Sequence, residues 1–396
     1  MFYRIIKFYL IFIHLNLSLG WNTYTIGEAC DLITGFPFKS KYYLDEGNYK
    51  VVRGDNVKTG FIKWDEKTRC WDELNDNLKK YLLKKEDIVL AMDGNVGQNR
   101  AVISEKDLPA LLAQRVACIR SNNKFDQNFI RYLIFSNRFK KYIDSIKTGT
   151  TINHISLKQI SEFEFEAPDI LIQKKIGNIL REIDDKIVKN QQINHNLLKL
   201  SKYFYKEFYL DKVELYTNKQ YITLDEVTSK FATGLNPRKN FVLGEGNNYY
   251  VTIKNMANNS IVLDDKCASI TDEAIEKINN RSDLQVGDLL FSGIGTIGRV
   301  HLIDEEPTNW NISESVFTMR PNDLISSEFL FIMLLSQEVQ EYAKTLASGS
   351  VQKGIRMRDL KAYEFILLNE EDRIFLDSLL IPIISNIKAN EKEIRY

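Results

Sequence analysis

Along residues 168–210, PDILIQKKIGNILREIDDKIVKNQQINHNLLKLSKYFYKEFYL, apolar side chains recur at Ile172, Ile176, Ile179, Ile183, Ile187, Ile193, Leu197, Leu200 and Phe204. The spacing is mostly three or four, and no proline follows Pro168, which predicts one long helix with a single apolar stripe. Lys186 and Asn190 interrupt that stripe midway. A polar group there weakens the seam but penalises wrong registers, which favours a paired long helix over a globular core helix. At about 1.5 Å per residue, roughly forty residues span on the order of 60 Å. The expected partner is the C-terminal stretch NEEDRIFLDSLLIPIISNIKANEKEIRY, with Leu376, Leu379, Ile383, Ile387 and Ile394. The helix-pairing set is then Ile176, Ile179, Ile183, Lys186, Asn190 and Leu197 against Leu376, Leu379, Ile383 and Ile387, running antiparallel. Pro382 is expected to kink or shorten the second helix.

The pattern outside these helices repeats at an offset of about 200 residues. YKVVRGDNVKTGFIKWD (49–65) lies over YYVTIKNMANNSIVLDD (249–265), each read as strand, polar turn and strand. KKEDIVLAMDGNVG (84–97) matches QVGDLLFSGIGTIG (285–298), a buried strand entering a glycine-rich turn, with Asp87 over Asp288. FIRYLIFSNRFKKYI (129–143) falls over FLFIMLLSQEVQEYA (329–343), an amphipathic helix in each, and GTTINHISLKQISEFEFEAP (149–168) over GSVQKGIRMRDLKAYEFILL (349–368). The expected class is α+β, with two similar domains of mixed α/β structure joined by two long antiparallel helices and related by a pseudo-two-fold internal repeat. The predicted boundaries are an N-terminal extension at 1–20, a first domain at 21–167, a spacer helix at 168–212, a second domain at 213–368 and a second spacer helix at 369–396.

Composition changes this picture little. Lys plus Arg equals Asp plus Glu at 53 each, so any nucleic-acid binding has to come from locally clustered basic groups. Cys30, Cys70, Cys118 and Cys267 are scattered without a CxxC pair, which favours reduced buried thiols and a cytoplasmic setting. Residues 1–20, MFYRIIKFYLIFIHLNLSLG, have the outline of a secretory signal but stand outside the repeat. The reading adopted is an over-long start, with translation beginning near Leu15 to Leu19; a mature terminus at Trp21 in an exported fraction would contradict it.

The sharpest chemical motif is SGIGTIGRV, where Gly293, Gly295 and Gly298 spell GxGxxG. A dinucleotide site needs a helix starting at those glycines, whereas RVHLID alternates like a strand, so a tight strand-to-strand turn is expected. GSVQKG at 349–354 lacks the lysine and hydroxyl of a P-loop, and the four histidines are too dispersed to suggest a catalytic site. What recurs in both halves is turns bearing basic and amide side chains. Arginine suits guanine, asparagine suits adenine, and lysine supplies backbone attraction. The DNA-binding candidates are Arg53, Asn56, Lys58, Arg100, Asn153 and His154 in the first half. In the second they are Lys254, Asn255, Asn258, Arg299, Lys353, Arg356 and Arg358.

With strand-turn-strand, GDLLFSGIGTIGRV, GTTINHIS, then a proline and a long helix, the whole used twice, the chain resembles the specificity subunit of a type I restriction-modification system over residues 21–396. The match is close at Gly287 to Gly298 and clear at Gly149; it is looser at Glu86 to Gly97 and at Gly349. The resemblance implies two target-recognition domains, each reading half of a bipartite double-stranded DNA target. It implies helices that set the spacer and dock methyltransferase subunits carrying S-adenosylmethionine and an ATP- and magnesium-dependent restriction subunit. This chain would then hold no cofactor and no metal and catalyse nothing. Departures from the pattern are the N-terminal extension and a second helix shorter than the first. Two rival readings stay open: a nucleotide-binding enzyme using residues 293–298, and an exported binding protein if residues 1–20 are a true signal.

Overall fold

The computed structural model describes residues 20–147, 153–257, 259–349 and 353–395. The reading of residues 1–20 therefore falls outside the described residues except at Gly20, as do Asn258 and the Gly149 turn. The chain forms two compact units that meet in sequence between Lys186 and Ile187.

The first unit contains β1 (Asn22–Thr25), β2 (Cys30–Thr34), β3 (Tyr49–Val52), β4 (Cys70–Trp71), β5 (Ile88–Ala91), β6 (Arg100–Val102), β7 (Ala110–Leu112), β8 (Val116–Ser121) and β9 (Glu164–Ala167). One antiparallel sheet has the order β2-β8-β5-β6, a second the order β4-β3-β7 with β3 and β7 parallel, and β1 pairs with β9. All four residues of β5 are buried, as its continuous apolar run requires. Strand alternation sends Ile88 and Leu90 against α1 (Gln127–Ile134) and α2 (Asn137–Ile146), through Phe129, Ile130 and Phe139. Val89 and Ala91 face the other way, onto Val52 and Leu112 of the second sheet. Burial of each larger side chain contributes about 1.5–3 kcal/mol. Asp126 and Ser136 start α1 and α2 by accepting from the Phe129 and Phe139 amides. The predicted second strand after β3 is reduced to a Val57–Ile62 bridge, because the turn is stapled by Asn56 instead.

The second unit repeats this plan with β10 (Tyr221–Thr223), β11 (Thr228–Thr233), β12 (Asn248–Val251), β13 (Met256–Ala257), β14 (Ser260–Ile261), β15 (Ala268–Ile270), β16 (Leu289–Ser292), β17 (Val300–Leu302), β18 (Trp310–Ile312), β19 (Val316–Pro321) and β20 (Glu364–Ile366). Its sheets run β11-β19-β16-β17 and β15-β12-β18, with β12 and β18 parallel and β10 paired to β20. Each strand order matches its counterpart in the first unit, so the repeat read from the sequence is a repeat of topology. In both units the first residue before the central strand is an aspartate locked to an arginine on the neighbouring strand. Asp87 accepts from Arg120 Nε and Nη2 at 2.7 and 2.6 Å, and Asp288 from Arg320 Nε and Nη2 at 2.7 and 3.0 Å.

The predicted long helix, α3, spans Ile170–Tyr205 and passes through a π turn at Lys206–Leu210. Its first half belongs to the first unit: Gln173 receives the Asp126 amide at 3.1 Å, and Asp184 accepts from Arg131 and Tyr132. After α4 (Asp272–Ser282), α5 (Ser327–Leu334) and α6 (Gln337–Thr345), the C-terminal helix α7 covers Glu370–Arg395. Within the second unit α7 runs antiparallel to the second half of α3. Asn190 bonds Glu393, Asn194 bonds Asn390 and the Ile387 carbonyl, and Phe208 meets the ring of Phe375. The π turn aims the Tyr209 hydroxyl at the Ile366 carbonyl, 3.0 Å away in the core.

The pairing set is corrected in part. Ile176 packs on the core of the first unit and Ile179 is 38% exposed, because this stretch of α3 rests on α1. Leu197 and Ile383 do pack on the shared core, and Leu376 and Ile387 are buried, joined by Leu380 and Ile384, while Leu379 is half-buried. Lys186 is exposed. The seam is more polar than the apolar count implied, since Asn190 and Asn194 hold it by hydrogen bonds while Ile193 and Leu200 lie outside. Pro382 does not end α7, which continues to Arg395. All four cysteines are free and buried; burial pushes the Cys30 thiol up to about 12 and that of Cys267 up to about 11. No helix among the described residues is long and apolar enough to cross a membrane.

Candidate nucleic-acid interface

In each unit, segments far apart in sequence are laced together by main-chain hydrogen bonds at the end of the central strand. In the first unit the Met92 amide donates to the Arg115 carbonyl (2.9 Å), Gly94 to Asn153 (2.9 Å) and Ile155 back to Met92 (3.0 Å). In the second, Gly293 donates to Ser315 (2.9 Å), Gly295 to Lys353 (2.8 Å) and Ile355 back to Gly293 (2.9 Å). The turn leaving the central strand needs left-handed backbone at Gly94 and Gly97, and at Gly295 and Gly298, which is what their glycines supply. β16 and β17 pair antiparallel across the GxGxxG sequence and no helix begins there, so the backbone lacks the helix N-terminus of a dinucleotide site. Among the described residues no group of His, Cys, Asp and Glu is placed to hold a metal ion.

The two platforms share a backbone and differ in side chains. The first carries Asp93, Arg115, Asn153 and His154; the corresponding positions of the second carry Ile294, Ser315, Lys353 and Gly354. Asp93 sits between two cationic or polar partners, Arg115 Nη1 at 2.7 Å and His154 Nδ1 at 2.5 Å. Burial pushes the Asp93 carboxyl up, but the hydrogen bonds from His154 and Arg115 outweigh it and hold the group below the usual carboxylate range. The stabilisation this gives is therefore present above the ordinary carboxylate range and fades as pH falls through the lowered value.

Several sequence candidates prove to be internal. Asn56 is buried, accepting from the Arg53 amide and donating to the Lys63 carbonyl, so it builds its turn instead of facing solvent. Arg100 is buried with its guanidinium on the Gly97 and Phe135 carbonyls, and desolvation lowers it to about 10. Asn255 is buried in a capping box with Thr252. Arg299 spends Nη1 on the carbonyls of Ile253 and Met256. Arg53 is half-buried, donating to the Lys67 carbonyl over the Tyr43 ring, with Lys58 half-buried nearby in sequence. Lys254, Lys353, Arg356 and Arg358 are exposed, Arg358 beside Asp359, and Asn153 and His154 stand on the first platform. Sequence reasoning missed Asp93 and Arg115. Asp93 was visible in the turn MDGNVG, whereas nothing local marks Arg115, which only the fold brings to it.

The family profile described as "Type I restriction modification DNA specificity domain" matches twice, over residues 18–199 and 216–394. The chain is similar to the "Type I restriction enzyme EcoAI specificity subunit" of Escherichia coli, 29% identical over 178 residues covering 43% of this chain and 29% of that protein. It is also similar to the "Type I restriction enzyme MjaVIII specificity subunit" of Methanocaldococcus jannaschii, 28% identical over 171 residues, 42% of this chain and 40% of that one. The chain thus spans less than half the length of these two relatives. Against the "Type I restriction enzyme EcoBI specificity subunit" of Escherichia coli the identity is 23% over 379 residues, covering 88% and 76%. The solved type I restriction-modification S subunit from M. genitalium shares the fold, with a TM-score of 0.59 at 18% identity over 96% of this chain and 94% of that one.

Proposed function

Because the chain belongs to the type I restriction-modification DNA specificity family, we propose that it is the subunit that gives such a complex its bipartite DNA specificity. The observation that carries this is the doubled platform, one main-chain scaffold built twice and dressed with different side chains. Two such surfaces suit two different half-sites, because backbone geometry positions a reader while side chains specify the bases. In this reading residues 21–167 and 213–368 are the recognition domains, and 168–212 and 369–396 the spacer helices. The surfaces offered to DNA are Arg115, Asn153 and His154 in the first domain and Lys254, Lys353, Arg356 and Arg358 in the second. The subunit works in the cytoplasm and catalyses nothing; adenine methylation and cleavage reside on methyltransferase and restriction subunits, which hold S-adenosylmethionine, ATP and magnesium.

Methylome sequencing of cells with and without the protein tests this. Loss of one split, adenine-modified motif is expected, and exchange of residues 21–165 should alter one half of that motif only. An unchanged methylome would refute the proposal.

The helices support a docking role, because the seam between them leaves apolar side chains outside. Ile193, Leu200 and Tyr203 on α3 and Ile374, Phe375 and Ile381 on α7 are all at least 40% exposed. The occupant proposed is the methyltransferase subunit. The double variant Ile193→Asp, Leu200→Asp should weaken co-purification with that subunit on the order of tenfold or more, with thermal unfolding of the isolated chain unchanged; undiminished binding would remove these faces from the interface.

A further inference from the structure

Arg115 differs from every other basic residue considered above in how it is held. Its backbone lies in the left-handed region, φ +69, a conformation that costs a non-glycine residue free energy and persists only where its surroundings impose it. The Met92 amide fixes its carbonyl, and Asp93 takes Nη1 alone. Nε and Nη2, the two parallel donors on the other edge of the guanidinium, meet no partner among the described residues, and the side chain is 67% exposed. The platform therefore presents a fork of two donors, oriented by a carboxylate behind it, at the end of the central strand. Two acceptors at matching spacing on one base edge are offered by guanine O6 and N7 in the major groove. The second unit has Ser315 at this position, so the device belongs to the first unit alone.

Resting on the reading of the chain as a DNA specificity subunit, we propose that Arg115 is a specificity-determining residue of the first domain, reading a guanine, and that Asp93 positions it. Asp93 touches no base in this scheme; it prevents the guanidinium from turning its Nη1 edge outward. A lysine at 115 would keep the charge and lose the fork.

The test compares methylomes of cells carrying the complete complex with wild-type chain, Arg115→Ala, Arg115→Lys or Asp93→Asn. The wild-type motif is expected to contain a G·C pair in the half assigned to the first domain. Arg115→Ala should relax that one position, discrimination falling about 10- to 100-fold, with every other position kept. Arg115→Lys should relax it similarly, and Asp93→Asn to a smaller extent. Thermal unfolding is expected to be unchanged in the two Arg115 variants, whose altered side chain is 67% exposed, and modestly lowered in Asp93→Asn, which loses the charge that Arg115 and His154 hold. An Arg115→Ala motif identical to wild type overturns the assignment, as does an even loss of methylation without relaxation, a change in the other half, or full specificity with lysine. If wild-type cells show no split motif dependent on this chain, the functional reading itself fails, an outcome distinguishable from failure of Arg115 alone.

Discussion

Replacing Asp288 with alanine is expected to destabilise the second unit by roughly 3 kcal/mol, the low end of what breaking a buried pair costs. The carboxylate is fully buried and accepts from Arg320 Nε at 2.7 Å, from Nη2 at 3.0 Å and from the Gln285 amide at 2.9 Å. Removing it takes away the buried partner of the Arg320 guanidinium, which is left with the Asp283 carbonyl at 2.6 Å and carboxylate at 3.5 Å, and frees the turn that admits the chain to β16. The arginine side chain is 24% exposed, so water recovers part of the loss and the upper end of the range does not apply. Pairing the change with Arg320→Met removes the charge that has lost its buried partner, at the expense of its Asp283 contacts, and should regain part of the stability. Urea unfolding followed by tryptophan fluorescence measures both. A single variant within about 0.5 kcal/mol of wild type would show that the pair contributes nothing. On the proposed function the single variant should also lose adenine modification in cells, because the platform of the second unit follows directly from β16.

Gly234→Ala should be at least as damaging, for a steric reason. A Cβ at residue 234 would sit 1.6 Å from the carbonyl oxygen of Ile312, a rigid main-chain atom on β18. Neither strand can yield without opening the end of the β11–β19 ladder, where Thr233 faces Phe317. Overpacking of this kind costs about 3 kcal/mol, occasionally more. Gly35 occupies the same place in the first unit, with Ala113 O at 2.1 Å. Gly54 has nothing within 4 Å of its missing Cβ, so Gly54→Ala serves as the neutral comparison. Limited proteolysis should cut Gly234→Ala within the second unit and leave the first intact; equal resistance of all three proteins would discount the clash.

Much of the fold was legible because the signals were periodic. The continuous apolar run IVLA and the three-four spacing of residues 170–205 named a buried strand and a long helix, and the near-constant offset exposed the doubling. The helix seam was less legible: Asn190 was read as a polar break in the stripe, but Asn194, which bonds Asn390 and the Ile387 carbonyl, carries no apolar signal, and Ile176 and Ile179 were assigned to the seam though they lie in the first unit. The site was least legible of all. Arg100 and Asn255 look like surface donors in a string of letters, yet each spends its hydrogen bonds on nearby main chain. Arg115 and Asp93 are 22 residues apart and carry no local pattern, so only the strand order makes them neighbours. The Asp87–Arg120 and Asp288–Arg320 pairs were half visible, since both aspartates had been aligned and the arginines recur at about the same offset of 200 residues.

Because the platform is tied by peptide groups, it does not depend on which side chains stand on it. Natural selection can therefore rewrite the letters at 93, 115, 153 and 154, or at 294, 315, 353 and 354, without dissolving the loops that display them. On the proposed function, one half of the recognised sequence could therefore change in a lineage while the other half stays constant.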